Sequence, residues 1–415
     1  MKEEVYQMNL VTQYGGLRKE NYILCFGRLV TAMGAMVWPM LTMILSQKMG
    51  MSAEHIAWVM AAFGILSLPT NLVGGKMADH LNKKMNIIFL DMVSVACYVV
   101  CAVIPLSAVS IILMFIAATC QNMEHPSYNA LTADITMTDD RERAYSLQYL
   151  CTNLGFVMSP TIGGLLLQNY LWLAFLISGI AIGCSSILIF FQVKDITPIK
   201  DTGKKAVYQT DREGESLWTV LKENKMIVFF ILAASGFYAT YQMYTYLIPL
   251  DMERMHGAGG AVIYGSVTSI NCIAVVILTP LITRMFPKVP DTVKTMLGQL
   301  LLVAGFAIFW LFAGYIPFYY IAMIIMTWGE VFSMLAESPY LTKRIPASHR
   351  GRINGVEGVL RTGITSVYQL LIGFIYGMGS SDAAWAAVLI TGGFFVLLCV
   401  VLIVEDKKIY KNLYL

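Results

Sequence analysis

"KDITPIKDTGKKAVYQTDREGESLWTVLKENK", Lys194 to Lys225, is the longest polar run in a chain of 415 residues whose side chains are 57% hydrophobic and 13% charged. That is more apolar surface than a soluble domain can hide, so the composition marks an integral membrane protein. A helix needs about 20 apolar residues to cross the hydrocarbon. Outward from the polar run, six such stretches lie on each side. Before it come Tyr22–Ser46, Ala53–Gly75, Asn86–Ile104, Ser107–Ala133, Ala144–Gln168 and Leu171–Val193; after it come Met226–Leu250, Ala261–Thr283, Val293–Ala313, Pro317–Leu341, Ile353–Tyr376 and Ala383–Val404. The sequence therefore predicts an all-α membrane protein of twelve transmembrane helices. It divides them into two six-helix, pseudo-symmetric bundles, residues 1–193 and 226–415, joined by a cytoplasmic linker at 194–225.

Cytoplasmic loops collect Lys and Arg. With both termini inside, every Lys and Arg falls in or at the edge of an inner segment, Lys294 at the inner end of its span, except Lys48 and Arg254 outside and Arg28 and Arg361 within spans. The net charge of +3 thus reports inner loops, and no nucleic-acid partner follows from it. The polar start "MKEEVYQMNLVTQYGG" is unlike a secretory signal, so the first span is expected to direct insertion, into the plasma membrane. All eight cysteines sit in predicted spans, as small buried hydrophobes rather than a disulfide framework or metal cluster. No HExxH, GxSxG or Walker pattern is present, which argues against an enzyme and against ATP as the energy source. No cofactor or metal is expected, and the chain is expected to act as a monomer.

Repeated halves show as weak internal similarity in many transporters. At an offset of 209, Arg141, Arg143, Gln148 and Gly164 meet Arg350, Arg352, Glu357 and Gly373, and Gln121 meets Glu330. Between spans two and three stands "GGKMADHLNKK", Gly74 to Lys84. Small residues there let helix ends approach, Asp79 can cap a helix, and the lysines stay in water. The stretch resembles the G-x-L-a-D-r-x-G-r-k signature of the major facilitator superfamily at Gly75, Asp79, Lys83 and Lys84. Asn82 takes the usual glycine place, where its tolerance of left-handed backbone would preserve the turn. "GFVMSPTIGG", Gly155 to Gly164, is similar to the family's antiporter motif at Gly155, Pro160, Gly163 and Gly164, with Ser159 for a glycine. The resemblance is closest to twelve-helix drug/proton antiporters. It implies alternating access, with Asp134 as the acidic partner of the first motif and export by exchange from the second.

Charges facing hydrocarbon cost several kcal/mol, so they usually face a cavity, pair up or carry a mechanism. In "GEVFSMLAESPY", Gly329 to Tyr340, Glu330 and Glu337 stand seven residues apart on one helical face, about 10 Å along the axis. Two carboxyls so stacked can pass a proton, since leaving water favours the neutral acid and rehydration releases the proton. The alternative is structural hydrogen bonding or pairing with Arg361. In "QNMEHPSYNA", Glu124 and His125 are a candidate titrating pair, although neighbours on a helix point about 100° apart. Glu357 and Arg361, four apart with the acid first, suit an internal ion pair; alternatively Arg361 meets an anionic substrate group. Gln148 stands where some drug/proton antiporters carry a carboxylate.

Tyr238, Tyr241 and Gln242 share a face that suits a pocket wall or plain helix packing, and Tyr244 and Tyr246 suit an interfacial belt. Trp38 and Trp328 are candidates for the same cavity, and Arg28 is expected to snorkel. The expected function is proton-coupled export of a small amphipathic substrate across the lipid bilayer. Rivals are a proton-coupled symporter of a nutrient or peptide, and a lipid or lysolipid flippase of the same fold.

Overall fold

The computed structural model describes residues 14–194, 215–344 and 350–411. Most of the polar run, 195–214, lies outside the described residues, as do the side chains at 71, 72, 79, 138, 139, 141, 142, 338, 342, 343, 350–352 and 354. The described chain is helical, with α1 Lys19–Gly34, α2 Ala53–His80, α3 Lys83–Val103, α4 Ala108–Asp134, α5 Thr138–Phe156, α6 Ser159–Leu167 and α7 Leu171–Gln192. There follow α8 Leu217–Glu223, α9 Lys225–Tyr241, α10 Met243–His256, α11 Gly260–Met285, α12 Asp291–Leu311, α13 Ile316–Arg344, α14 Arg350–Gly377 and α15 Ser381–Ile409.

Among the described residues, nine segments are long and apolar enough to cross a bilayer, and one, Lys225–Met285, runs through α9, α10 and α11. The difference from the twelve expected has physical causes. Predicted spans seven and eight merge in that one segment. The first span is interrupted because α1 ends after 16 residues at Gly34. Gln121, Asn122, Glu124 and His125 interrupt the apolar run of α4.

Two predicted spans are broken by identifiable chemistry. Span five divides into α5 and α6 just before Pro160, which has no N–H for the helical ladder. Span seven divides at Gln242, where the freed groups find side chains. Thr245 Oγ1 donates to Gln242 O at 3.1 Å; further on, Thr42 Oγ1 donates at 2.7 Å to Thr245 O, which lacks a helical donor because Pro249 has no N–H. At the end of α1, Ser178 Oγ donates to Gly34 O at 2.6 Å. With no water in the hydrocarbon, such side-chain bonds are what make a broken helix tolerable.

Contacts divide the chain into two compact units: Met1–Met36, Pro69–Ser159 and Leu171–Lys204 in the first, and Val37–Leu68, Pro160–Tyr170 and Lys205–Leu415 in the second. In the first, α3 packs on α4 and α7, and α1 on α5 and α7. Leu24, Ile87, Tyr128, Leu131 and Ile189 form its buried core. A side chain on Gly74 would strike the backbone of Met123, and one on Gly155 the backbone of Leu29. Gly75, by contrast, faces open space, so Gly74 is the close-approach residue of its motif.

In the second unit, α12 and α13 cross at Gly298 and Gly329, where a Cβ on either would enter the other helix. α6 lies against α11 with Gly164 at Ala261 and Gly265 at Pro160, and Gly373 of α14 touches Ala57 of α2. Lys48 Nζ donates to Gln168 O at 2.6 Å, Gln168 Nε2 donates to Ala258 O, and Tyr246 Oη donates to Ala53 O at 2.7 Å.

Asp406 of α15 is fully buried and receives Tyr340 Oη at 2.7 Å, Arg344 Nε at 3.1 Å and Arg344 Nη2 at 2.6 Å. Arg344 also lies over the Tyr340 ring at 3.8 Å. Removing one partner of a buried ion pair strands the other charge, at about 3–5 kcal/mol. Asp406→Ala is therefore expected to lower the thermal unfolding temperature of the purified protein sharply. The double variant Arg344→Leu, Asp406→Leu should recover much of that loss.

Candidate transport site

Close packing of α12 on α13 fixes which way α13 faces. Glu330 follows Gly329, the residue at that crossing, so its side chain turns off the seam toward α11. There Asn271 Nδ2 donates to Glu330 Oε2 at 2.8 Å and to Thr327 Oγ1 at 2.9 Å. Tyr241 of α9 makes a further hydrogen bond to the same carboxyl. These partners are neutral. Among the described residues, the ion pairs of α13 are those of Glu337 and Arg344, and Glu330 has none.

Glu337 sits in a different setting two turns on. Tyr238 Oη donates to Glu337 Oε2 at 2.5 Å, and Arg361 Nη1 lies 3.4 Å from Glu337 Oε1. Arg361 Nη2 reaches Glu357 Oε1 at 2.8 Å, and the guanidinium carbon stands 4.4 Å from the Tyr238 ring centre. Two carboxyls thus divide one guanidinium, leaving one acid more than base. Arg361 keeps 32% of its side-chain surface exposed, against 14% for Glu337 and 10% for Glu357. Arg361 therefore pairs with Glu337 as well as with its helical neighbour Glu357, and not with Glu330.

The aromatic face of α9 continues upward through ring contacts, Phe237 stacked on Tyr241 at 5.8 Å, then Tyr241 tilted against Tyr244 at 5.6 Å and Tyr244 tilted against Tyr264 at 5.9 Å. Tyr238 and Tyr241 reach the two acids. Gln242 does not: it lies in the break after α9 and donates from Nε2 to Thr245 Oγ1 at 3.1 Å. Tyr244 and Tyr246 are buried rather than set in an interfacial belt. Trp38 packs on Phe63 with ring centres 4.4 Å apart, and Trp328 lies 6.3 Å from Phe332.

In the first unit, Arg28 does not snorkel. Its Nη2 lies 3.4 Å from Glu124 Oε1 and its guanidinium carbon 3.7 Å from the Tyr128 ring centre, with 11% of the side chain exposed. Glu124 is buried while His125 is exposed, so the helical turn between them separates the two as sequence neighbours. Asp91 of α3, also buried, accepts a hydrogen bond from Ser186 Oγ at 2.5 Å. Gln148 is half-buried on α5.

Of the motif residues, Lys83 Nζ lies 2.7 Å from Asp134 Oδ2, and Lys84 Nζ stands 5.4 Å from the Phe190 ring centre. Asn82 has φ −66° and accepts from Met85 N–H at 3.1 Å, so it caps α3 instead of making a left-handed turn. Gly163 is buried on α6, and the side chain of Asp79 lies outside the described residues. Asn271, Thr327 and Asp91 escaped the sequence reading. Asp91 carried a signal, as a lone acid inside "IIFLDMVSV"; Asn271 and Thr327, as neutral residues in apolar runs, carried none.

The sequence pattern of the Major Facilitator Superfamily matches residues 24–368. A Na(+), Li(+), K(+)/H(+) antiporter of Planococcus maritimus is 20% identical over 341 residues, covering 76% of this chain and 80% of that one. The quinolone resistance protein NorA of Staphylococcus aureus is 27% identical over 154 residues, 37% of this chain and 39% of its own. The crystal structure of a POT family transporter in complex with a thioalcohol conjugated peptide has the same fold, with a TM-score of 0.76 at 13% identity over 94% of this chain and 96% of that one. With the pattern running through most of the helices described above, the chain belongs to the Major Facilitator Superfamily, whose members are multi-pass membrane transporters and not enzymes.

Proposed function

We propose that this protein is a proton-coupled antiporter that moves a small amphipathic molecule outward by alternating access, and that Glu330 carries the coupling proton. One observation carries the reading: Glu330 is a carboxyl in a membrane helix whose partners, Asn271 and Tyr241, are all neutral. An ionised carboxyl without a cation is costly away from water. Bound to a proton, the same group is at ease there, so the site has reason to bind a proton when closed and lose it when wet. Glu337 and Glu357, sharing Arg361, form a further acid-rich patch beside the aromatic face of α9 and serve as the substrate side. Tyr238 and Tyr241 link the two. In this reading the motif pair Lys83 and Asp134 and the packed glycines of α5 and α6 hold alternate states. The chain crosses the plasma membrane twelve times as a monomer, with both termini cytoplasmic. The antiporter and the resistance protein among its relatives support exchange and export.

A second reading, proton-coupled uptake of an anionic nutrient or peptide, draws on Arg361, a cation whose side chain stays 32% exposed and which could meet a substrate carboxylate. Counterflow in oriented vesicles separates the two, and export is the expected direction.

A ligand found by its pH-dependent stabilisation of the purified protein against heat supplies the assay. Glu330→Gln in proteoliposomes should abolish accumulation driven by a pH gradient while leaving the unfolding temperature near that of the wild type. Undiminished accumulation would remove Glu330 from the coupling role. Asn271→Leu, which takes a donor from the carboxyl, should lower stability by about 1–3 kcal/mol, read from thermal unfolding, and should do so far less in the Glu330→Gln background.

A further inference from the structure

The cysteines were read from the sequence as small apolar side chains, and for most of them that account is sufficient. Among the described residues, one pair is hydrogen-bonded thiol to thiol: Cys25 of α1, which is buried, and Cys151 of α5, which is half-buried. Both belong to the first unit, and the transport reading uses neither.

The packing of the two helices places these sulfurs together independently. α1 lies against α5. Where the chain enters α1, Tyr14 Oη and Ser146 Oγ stand 3.0 Å apart. Further along, Gly155 comes so close to α1 that a Cβ on it would stand 2.5 Å from Leu29 O and 2.6 Å from Ala32 Cβ. Residue number rises on both helices from the first contact to the second, so α1 and α5 run parallel. Cys25 and Cys151 each precede the tight crossing by four residues, Cys25 before Leu29 and Cys151 before Gly155. Four residues are about one turn and about 6 Å of rise, so each thiol shares a face with the residue that makes the crossing. A disulfide needs Cα atoms roughly 4.4–6.8 Å apart with converging Cβ atoms. Facing turns of two helices approach that closely where small residues such as Gly155 and Ala32 let the backbones close up.

We propose that Cys25 and Cys151 form a dithiol modification site, which a hydroperoxide oxidises to a disulfide joining α1 to α5. Cys151 is the more exposed of the two and reacts first. Its sulfur attacks one peroxide oxygen, the O–O bond breaks, and the departing hydroxide takes up the thiol proton as water. Cys151 is then a sulfenic acid. The Cys25 sulfur displaces the sulfenic hydroxyl, which leaves with the Cys25 proton as a second water, and the S–S bond forms. The two sulfurs give up two electrons and the peroxide takes both. Because Cys25 stands against Cys151, the sulfenic acid is captured before a second peroxide can carry it further. A dithiol reductant reverses the step by thiol–disulfide exchange. The bond would cross-link two helices far apart in sequence, which constrains the unfolded chain and makes the oxidised form the harder to melt. The site does not depend on the proton-coupled reading and stands or falls apart from it.

The test treats the full-length protein in lipid vesicles with hydrogen peroxide, alkylates the remaining thiols after denaturation, and maps the peptides by mass spectrometry without reduction. Two of the eight thiols should be lost to alkylation, with the Cys25 and Cys151 peptides joined at a mass two hydrogens below their sum. Dithiothreitol should restore both. In Cys25→Ser the joined peptide should disappear and Cys151 should be labelled by dimedone, the mark of a sulfenic acid with no thiol to capture it. In Cys151→Ser neither product should form at the same peroxide dose. Oxidation should raise the thermal unfolding temperature of the wild type and leave that of Cys25→Ser unchanged. If Cys25 and Cys151 both stay open to alkylation after peroxide, or if Cys151 joins a different cysteine, the proposal is wrong. Dimedone labelling of Cys151 in the wild type with no joined peptide would overturn it equally, since Cys25 would then lie too far away to close the bond.

Discussion

Water is missing from the core of a bilayer, and the backbone polar groups of a spanning chain must therefore find their partners in the protein. Helices settle the backbone, but three of the spans are interrupted, and each interruption needs its own repair. At two of them a hydroxyl supplies it, Thr245 donating to Gln242 O and Ser178 to Gly34 O, while Thr42 donates to Thr245 O, which has no helical partner because Pro249 lacks an N–H. Short hydroxyl side chains suit the task, since they reach a nearby carbonyl without carrying a charge. The breaks at Gly34 and Gln242 are thus local departures held in place by named donors.

The same constraint sorts the charged side chains. Asp406 and Asp251 are met by several donors each, so their charge is stabilised and their helices are tied together. Glu337 and Glu357 have half a guanidinium apiece, Glu330 has amide and phenol, and Asp91 has a hydroxyl. Along that series the partners grow fewer and then lose their charge. The well-supplied acids tie helices together as framework, and the others rest on shared or neutral partners.

How much of this the sequence revealed depends on whether an interaction is local. Apolar runs, the acids Glu330 and Glu337, and the four-residue spacing of Glu357 and Arg361 are properties of single helices, and all were legible. Arg28 with Glu124, Asn271 with Glu330 and Arg344 with Asp406 each join helices far apart in sequence, and no periodicity announces them. A positive residue near a span end suggests snorkelling until its partner on another helix is placed. The breaks at Gly34 and Gln242 were equally hidden, because apolar composition continues across them and only packing shows where the ladder stops. Gly74 rather than Gly75 proved the tight residue because contact depends on helix rotation, to which a motif match is blind.

The tyrosines of α9 show why the two glutamates of α13 differ although they share a face. Tyr238 meets Glu337 and Tyr241 meets Glu330, so residue number rises on one helix as it falls on the other, and the helices run antiparallel. Three residues on α9 advance about 4.5 Å and seven on α13 about 10 Å. The long phenol side chains splay to cover the difference. Only the Glu337 end of this ladder reaches Arg361; at the Glu330 end, the neighbouring helix α11 offers an amide. A charge on Glu337 is therefore answered at once by a cation, whereas a charge on Glu330 is answered only by dipoles. Of the two, Glu330 is the carboxyl met by neutral partners and Glu337 the one met by a cation, a difference set by which helix lies beside each turn of α13.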